Sequence, residues 1–391
     1  MIKKVRYYIF LRDVLILALT AFGGPQAHMA MMIDLLVAKR GFLSEEDLLE
    51  LYALCQILPG PTSTQTITAI GFKIGGPNLA YLTLMIWMIP AVTLMTIAGL
   101  SISILQENGI SIEFTKFIQP MAVGFVSYAA YKISRKVINS YEAIIIMVVA
   151  AVASYFVRSP YIFPIILLLA GSVTAFKYKA QPVEEKQRFQ IKWANFILWG
   201  GVLIFAASLG GATRYLPIRL FENFYRNGSL IFGGGQVLIP MLYTEFVEFK
   251  KYLTSVEFLT GYALAQSVPG PVFSFSAYIG AISMGPHGVF GQILGAMAAS
   301  LGVFLPGTFL IFFVIRIWDS LKKYRIIRAS LEGVNAASSG MVAAAAILMF
   351  QPLDVDLINV GMLVLTFCLL QFSKIPAPFI ILAGLAMGFI L

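Results

Sequence analysis

The sequence predicts an all-α polytopic membrane protein: about thirteen transmembrane helices in two inverted-topology repeats, with helices broken at Phe-Gly-Gly and Pro-Gly-Pro. Three observations carry that prediction. The first is composition. Hydrophobic residues are 59% of the chain and charged residues 12%, with a mean hydropathy of +0.84. A soluble fold could not bury so much apolar surface and still cover itself. Lipid offers no hydrogen-bond partners, so spans are helices or a closed barrel, and long unbroken apolar runs exclude the alternation of a barrel. The second is internal duplication. Phe22-Gly23-Gly24-Pro25-Gln26 precedes Pro59-Gly60-Pro61 just as Phe232-Gly233-Gly234-Gly235-Gln236 precedes Pro269-Gly270-Pro271. Fifteen of the forty positions in 22–61 recur 210 residues later without a gap, including Tyr52-Ala53-Leu54 and Gln56 against Tyr262-Ala263-Leu264 and Gln266, which marks two copies of one unit.

Loop charge is the third. The stretch 105–116 has net charge −1 and its counterpart 316–328 has +4; the next pair reverses, with +2 over 132–142 and −2 over 351–356. Equivalent loops of opposite charge place the two copies in opposite orientations. The loop pair 36–47 and 246–257 is charge-mixed and decides nothing.

Taken in order, the expected spans are 8–35, broken at Phe-Gly-Gly, 47–73, broken at Pro-Gly-Pro, then 78–104, 117–134, 142–157 and 160–176. A polar stretch, 177–192, follows, with net charge +3. An unpaired span, 193–210, supplies the flip, and the second copy repeats the pattern from about 216 to 391. Leu169-Ala170-Gly171 returns as Leu382-Ala383-Gly384 near the ends of the two copies. The domains expected are therefore 1–176, 177–210 and 211–391. The N-terminus, with Lys3, Lys4 and Arg6, and the basic linker face the cytoplasm. Arg12 and Asp13 interrupt the first apolar run and no small-residue cleavage site follows, so it is read as a retained span rather than a signal peptide.

Other chemistries find little support. The net charge of +9 lies between spans and reports topology rather than nucleic acid. Two cysteines, Cys55 and Cys368, lie in apolar segments, and two histidines are too few for a histidine metal site. No cofactor and no metal are expected. An enzyme would need a nucleophile–base pair or paired carboxylates at helical spacing in the spans, and neither is found.

A broken membrane helix leaves backbone N–H and C=O groups unpaired, tolerable where they line a cavity or are buried in protein. The helix restarting after each break points free N–H groups and a positive dipole end inward, which suits anions. Paired breaks of this kind are the pattern of a transporter's substrate site at the midplane. The expected site comprises Phe22, Gly23, Gly24, Gln26, Gln56, Pro59, Gly60, Pro61, Thr62, Ser63, Thr64 and Gln65 of the first copy. Gly233, Gly234, Gln236, Gln266, Pro269, Gly270 and Pro271 come from the second. Gln56, Gln266, Gln26 and Gln236 and the restarting helices supply neutral donors for a tetrahedral dianion. Thr62-Ser63-Thr64-Gln65 faces a Phe-rich counterpart, Val272 to Ser276, so the first copy is expected to hold the anion. The alternative is that the glycines only allow close packing, the prolines only kink, and the glutamines glue helices together.

Charged groups inside spans are functional candidates by default. Glu50, Glu245 and Arg226 are the coupling candidates, with Glu332, Lys73 and Asp13 beside them. Arg226 either holds an anion or pairs with Glu222, Lys73 snorkels from a span end, and the three glutamates also suit interfacial positions. His28 lies one turn past the first break and could relay a proton, but Leu238 stands opposite it, which favours a peripheral role.

Leu19 through His28, Lys39 through Asp47, Gln56-Ile57-Leu58-Pro59-Gly60-Pro61 and the Gly71 to Gly76 segment resemble the chromate ion transporter family. Phe232-Gly233-Gly234 and Gln266 through Pro271 are similar to the second domain of its long, two-domain members. The resemblance covers essentially the whole chain. It implies a cytoplasmic-membrane secondary transporter that exports chromate, with sulfate as the related anion and a proton or counter-ion as coupling partner; a homodimer is an admissible assembly. The sequence departs from the family at Phe42, where Trp is usual; the second copy has Gly235 opposite Pro25 and Tyr252 opposite Phe42. A sulfate or other small-anion transporter and a passive anion channel remain the alternatives.

Overall fold

The computed structural model describes residues 2–176, 193–232, 235–318 and 325–390. Gly233, Gly234, the polar stretch 177–192, and the side chains of Gln26 and Gln236 lie outside the described residues. Among the described residues there are sixteen α-helices and no strand.

The first copy runs α1 (Ile2–Thr20), α2 (Gly24–Met32), α3 (Glu45–Ile57), α4 (Thr62–Glu107), α5 (Ile118–Val137), α6 (Tyr141–Phe156) and α7 (Ile162–Ala175). Then come the unpaired α8 (Ala194–Thr213) and the second copy. That copy is α9 (Leu216–Leu230), α10 (Gly235–Leu242), α11 (Ser255–Ser267), α12 (Phe275–Ser283), α13 (Gly288–Val314), α14 (Arg325–Phe350), α15 (Leu357–Phe372) and α16 (Ala377–Ile390). Both α2 and α10 run on into a wide π-helical turn, Ile33–Lys39 and Tyr243–Phe249. Gly75 and Gly76 leave helical geometry inside α4, and Pro77 restarts it, so the expected boundary between spans 47–73 and 78–104 falls there. With that kink counted as a boundary there are seventeen helical segments, the number that thirteen spans require when four are broken.

Local chemistry sets the ends. Ser44 caps α3 by accepting the N–H of Asp47, and an acidic first turn follows. At the matching position Thr254 and Glu257 form a reciprocal capping box on α11. Ser140 and Asp356 cap α6 and α15 in the same way. Among the described residues four helices are long and apolar enough to cross a bilayer by length and composition; α6, α7, α15 and α16 have only 14 to 16 residues. That is about 21–24 Å, less than the roughly 30 Å of a bilayer's hydrocarbon core. Caps and the polar punctuation Arg158-Ser159-Pro160 and Ser373-Lys374 cut them short.

The two copies interleave. α5 packs on α15 while α14 packs on α6 and α7, and α5 and α14 pack on each other, joined by a 2.6 Å hydrogen bond between the Ser134 and Ser339 hydroxyls. Two glycines make the crossings close: a Cβ on Gly124 would lie 2.8 Å from the carbonyl oxygen of Leu363, and one on Gly340 would lie 2.1 Å from that of Met147. These contacts are reciprocal, each element of one copy meeting the partner element of the other, as a two-fold relation requires. The apolar interior divides in two. One core joins α1 to α3 and the earlier part of α4 with the end of α13; the other joins the rest of the second copy with α5 to α7 and with Leu84, Met88, Met95 and Ile102 of α4.

Candidate functional site

The breaks are stitched to each other across the copies. Gly60 N–H donates to the carbonyl of Ile231 at 2.7 Å, and Gly270 N–H donates to the carbonyl of Ala21 at 2.8 Å. Gly60 and Gly270 are equivalent positions, as are Ala21 and Ile231, so each Pro-Gly-Pro turn satisfies the helix end left open at the opposite Phe-Gly-Gly break. The N–H groups of Gly60 and Gly270 are thus committed to protein carbonyls. Donors at the site come from the turns that follow.

After the first Pro-Gly-Pro, α4 starts with Pro61 at its cap and no side-chain cap. Its first such bond runs from Gln65 N–H to the Pro61 carbonyl, which leaves the N–H groups of Thr62, Ser63 and Thr64 as the uncapped first turn. Their side chains are buried. Gln65 fastens the break: its Nε2 donates to the carbonyls of Pro59 at 2.8 Å and Gly307 at 3.3 Å. Only its acceptor, Oε1, is left without a partner, the wrong polarity for an anion. Thr66 donates to the Thr62 carbonyl and Thr64 accepts from Trp87 Nε1 at 3.1 Å.

The second copy is different. A 3-10 turn, Val272–Ser274, precedes α12, and Gln266 Nε2, Ser267 Oγ and Ser276 Oγ are buried with no hydrogen-bond partner. In the first copy Gln65 Nε2 and Thr66 Oγ1 are tied into the fold and Thr68 Oγ1 is left without a partner, whereas three donors flanking the second break are idle. Ser267 and Ser276 were missed by sequence reasoning because nothing distinguishes them from packing serines. The glutamine pair also separates: Gln56 is exposed on α3, while Gln266 is half-buried. Phe22 is exposed too, and Gly24 is half-buried.

Arg226 does not offer itself to an anion. Its Nη2 bonds Glu245 at 2.6 Å and its Nε bonds Glu222 at 3.2 Å. Glu245 is fully buried and also takes Lys250 Nζ at 2.8 Å and Asn227 Nδ2 at 2.8 Å. The first copy has a related cluster: fully buried Asp13 accepts from Arg40 through both oxygens, at 2.7 and 3.2 Å, and from Arg12 at 3.2 Å. Arg40 and Lys250 occupy equivalent positions just after the two π-helical turns. Lys73 pairs with Asp47 at 2.6 Å, Glu50 is half-buried on α3, and Glu332 is exposed. His28 is 1% exposed.

Fold and apolar helices define the class: a polytopic all-α membrane protein with paired helix breaks at its centre. The family profile for chromate transporters matches residues 9–176 and 218–389. The chain belongs to the chromate transporter family. It is 23% identical over 381 residues to an uncharacterized transporter of Methanocaldococcus jannaschii, covering 96% of this chain and 92% of that one. It is 25% identical over 383 residues to a chromate transport protein of Cupriavidus metallidurans, covering 94% and 89%. A chromate transport protein of Pseudomonas aeruginosa is 26% identical over 337 residues, covering 84% and 77%. No solved structure matches at a significant level.

Proposed function

We propose that the protein is a secondary transporter that exports chromate, or a related tetrahedral oxyanion, across the cytoplasmic membrane by alternating access. The observation that carries this reading is the group of unpartnered buried donors, Gln266 Nε2, Ser267 Oγ and Ser276 Oγ, around a break stitched to its opposite number. Neutral donors and uncapped helix starts stabilise a dianion without a fixed counter-charge, which lets it leave again. The Phe-Gly-Gly and Pro-Gly-Pro turns hold the donors in place. Chromate transport proteins among the relatives favour chromate over sulfate as the cargo. Everted membrane vesicles from cells making the protein should accumulate chromate above vesicles lacking it; equal accumulation contradicts the reading.

The repeats proposed are 1–176 and 211–391, inverted about the segment 177–210, with the N-terminus cytoplasmic. Reciprocal bonds between the breaks support the two-fold relation, and loop charges support the inversion. Alternating access is supported by an asymmetry between equivalent faces. Leu49 is 48% exposed and Leu259 is 0% exposed. Asp34, Ala53 and Gln56 are exposed, while Thr244 and Ala263 are buried and Gln266 half-buried. α10 packs on α14 and α11 on α5, whereas α2 and α3 pack on α4 and on the π turn between them. Thr260 Oγ1 donates to Thr115 Oγ1 at 3.2 Å where α11 is closed down. Exchanging the two arrangements between the copies opens the other side.

Two expected results follow from this geometry. With Cys55 and Cys368 replaced by alanine, Ala53→Cys should react with an impermeant thiol reagent from one membrane face and Ala263→Cys should resist it. Equal reactivity would remove the asymmetry. Gln266→Ala should lower chromate transport by about ten- to a hundred-fold, the worth of a hydrogen bond to a charged group, with little change in the amount of protein inserted. Gln56→Ala should lower it less, because Gln56 faces open space in this state; flux assays on both variants in vesicles check the order.

A further inference from the structure

His28 stands on α2, one turn beyond the first Phe-Gly-Gly break. Its side chain is 1% exposed, and neither ring nitrogen has a hydrogen-bond partner. Its ring lies edge-on to Trp87, with centroids 5.4 Å apart. Trp87 in turn donates to Thr64 in the uncapped first turn of α4. On another side lies the carbonyl of Ala21, outside hydrogen-bond geometry with the imidazole and already accepting from Gly270 N–H. His28 therefore sits at the junction of three of the four breaks. Leu238, its counterpart, is 0% exposed, so only one copy brings an imidazole there.

Several ionisable groups on the elements around α2 are engaged with one another. On α1, Asp13 is held by Arg12 and Arg40. On the π turn, Asp34 pairs with Lys39. On α4, Lys73 pairs with Asp47 of α3, and Tyr81 packs its ring on Phe312. Cys55 of α3 is buried and reduced.

We propose that His28 is the protonatable donor of the oxyanion site, taking up one proton as the dianion binds and releasing it when the anion leaves. The proposal rests on the anion site argued above. A buried imidazolium without a counter-charge is costly. Beside a dianion it gains a charge-assisted hydrogen bond. The coupling is reciprocal, so protons and oxyanion strengthen each other's binding and a proton is tied to each transport cycle.

The test uses purified full-length protein with sulfate as probe, because sulfate stays a dianion throughout the range in which an imidazole titrates. Wild-type affinity should rise as pH falls, by about tenfold per unit on the alkaline side of the titration, and calorimetry in buffers of different ionisation enthalpy should report about one proton taken up. His28→Gln should bind sulfate with a flat pH profile and no proton uptake. An unchanged slope and proton count in that variant overturns the proposal while leaving the anion site intact. Absence of both sulfate and chromate binding by the wild type at every pH sinks the site itself, and the proposal with it. Should His28→Gln fail to fold, nitrogen-15 spectra of the wild-type histidines decide. An imidazolium signal appearing with sulfate supports the proposal, and a ring that stays neutral overturns it.

Discussion

Gly60→Leu is expected to reduce chromate flux to the background of vesicles without the protein. Gly60 holds φ at +120°, and a Cβ there would lie 3.0 Å from Gln65 Nε2 and 3.4 Å from Gly307 Cα. An L-residue in that region costs about 1–2 kcal/mol in backbone strain alone. Forcing in a leucine adds roughly 1–3 kcal/mol of overpacking, and it does so at the one glutamine that ties the turn to α13. Relief requires the turn to move, which breaks the Gly60 N–H bond to Ile231 and unstitches the opposing break. Gly60→Ala tests the reasoning by degree, since the strain remains while most of the volume is removed. It should retain part of the flux. Normal flux through Gly60→Leu, with normal amounts in the membrane, would place the substrate path elsewhere.

Glu245→Ala should act on stability before it acts on transport. Arg226 and Lys250 would lose the carboxylate they share, and Asn227 would lose its acceptor. Breaking a buried ion pair from one side costs about 3–5 kcal/mol, chiefly because a charge is left uncompensated. The expected result is a sharp drop in monodisperse protein after detergent extraction and a lower melting temperature. Pairing Glu245→Gln with Lys250→Met removes one charge of each sign and should recover much of that loss. A Glu245→Ala protein as stable as wild type, yet unable to transport, would instead return Glu245 to a coupling role.

The sequence shows the outline of this molecule through residues that break rules. Glycine and proline inside apolar runs mark the breaks, and Ser44 and Thr254 mark matched helix starts. The unpaired α8 follows from an apolar run with no counterpart. What it hides are contacts made by backbone and by distant side chains. The bonds from Gly60 to Ile231 and from Gly270 to Ala21 leave no trace in residue type, since any residue carries those groups. Asp13 inside the first apolar run signals a buried partner, but Arg40 is placed by a π-helical turn that periodicity does not reveal. Gln65 reads as a donor and proves to be a fastener, because its acceptors are carbonyls exposed by the break and by Gly307. The unequal exposure of Leu49 and Leu259 belongs to a conformational state, which two copies of one unit cannot specify.

If the paired breaks form the anion site, a structure with bound oxyanion will place the anion between them. Selenate, located by its anomalous scattering, should lie within hydrogen-bond reach of Gln266 Nε2, Ser267 Oγ and Ser276 Oγ, between the two Pro-Gly-Pro turns. Selenate found instead at the Arg226 and Lys250 cluster, with those three donors unoccupied at saturating concentration, would contradict the account.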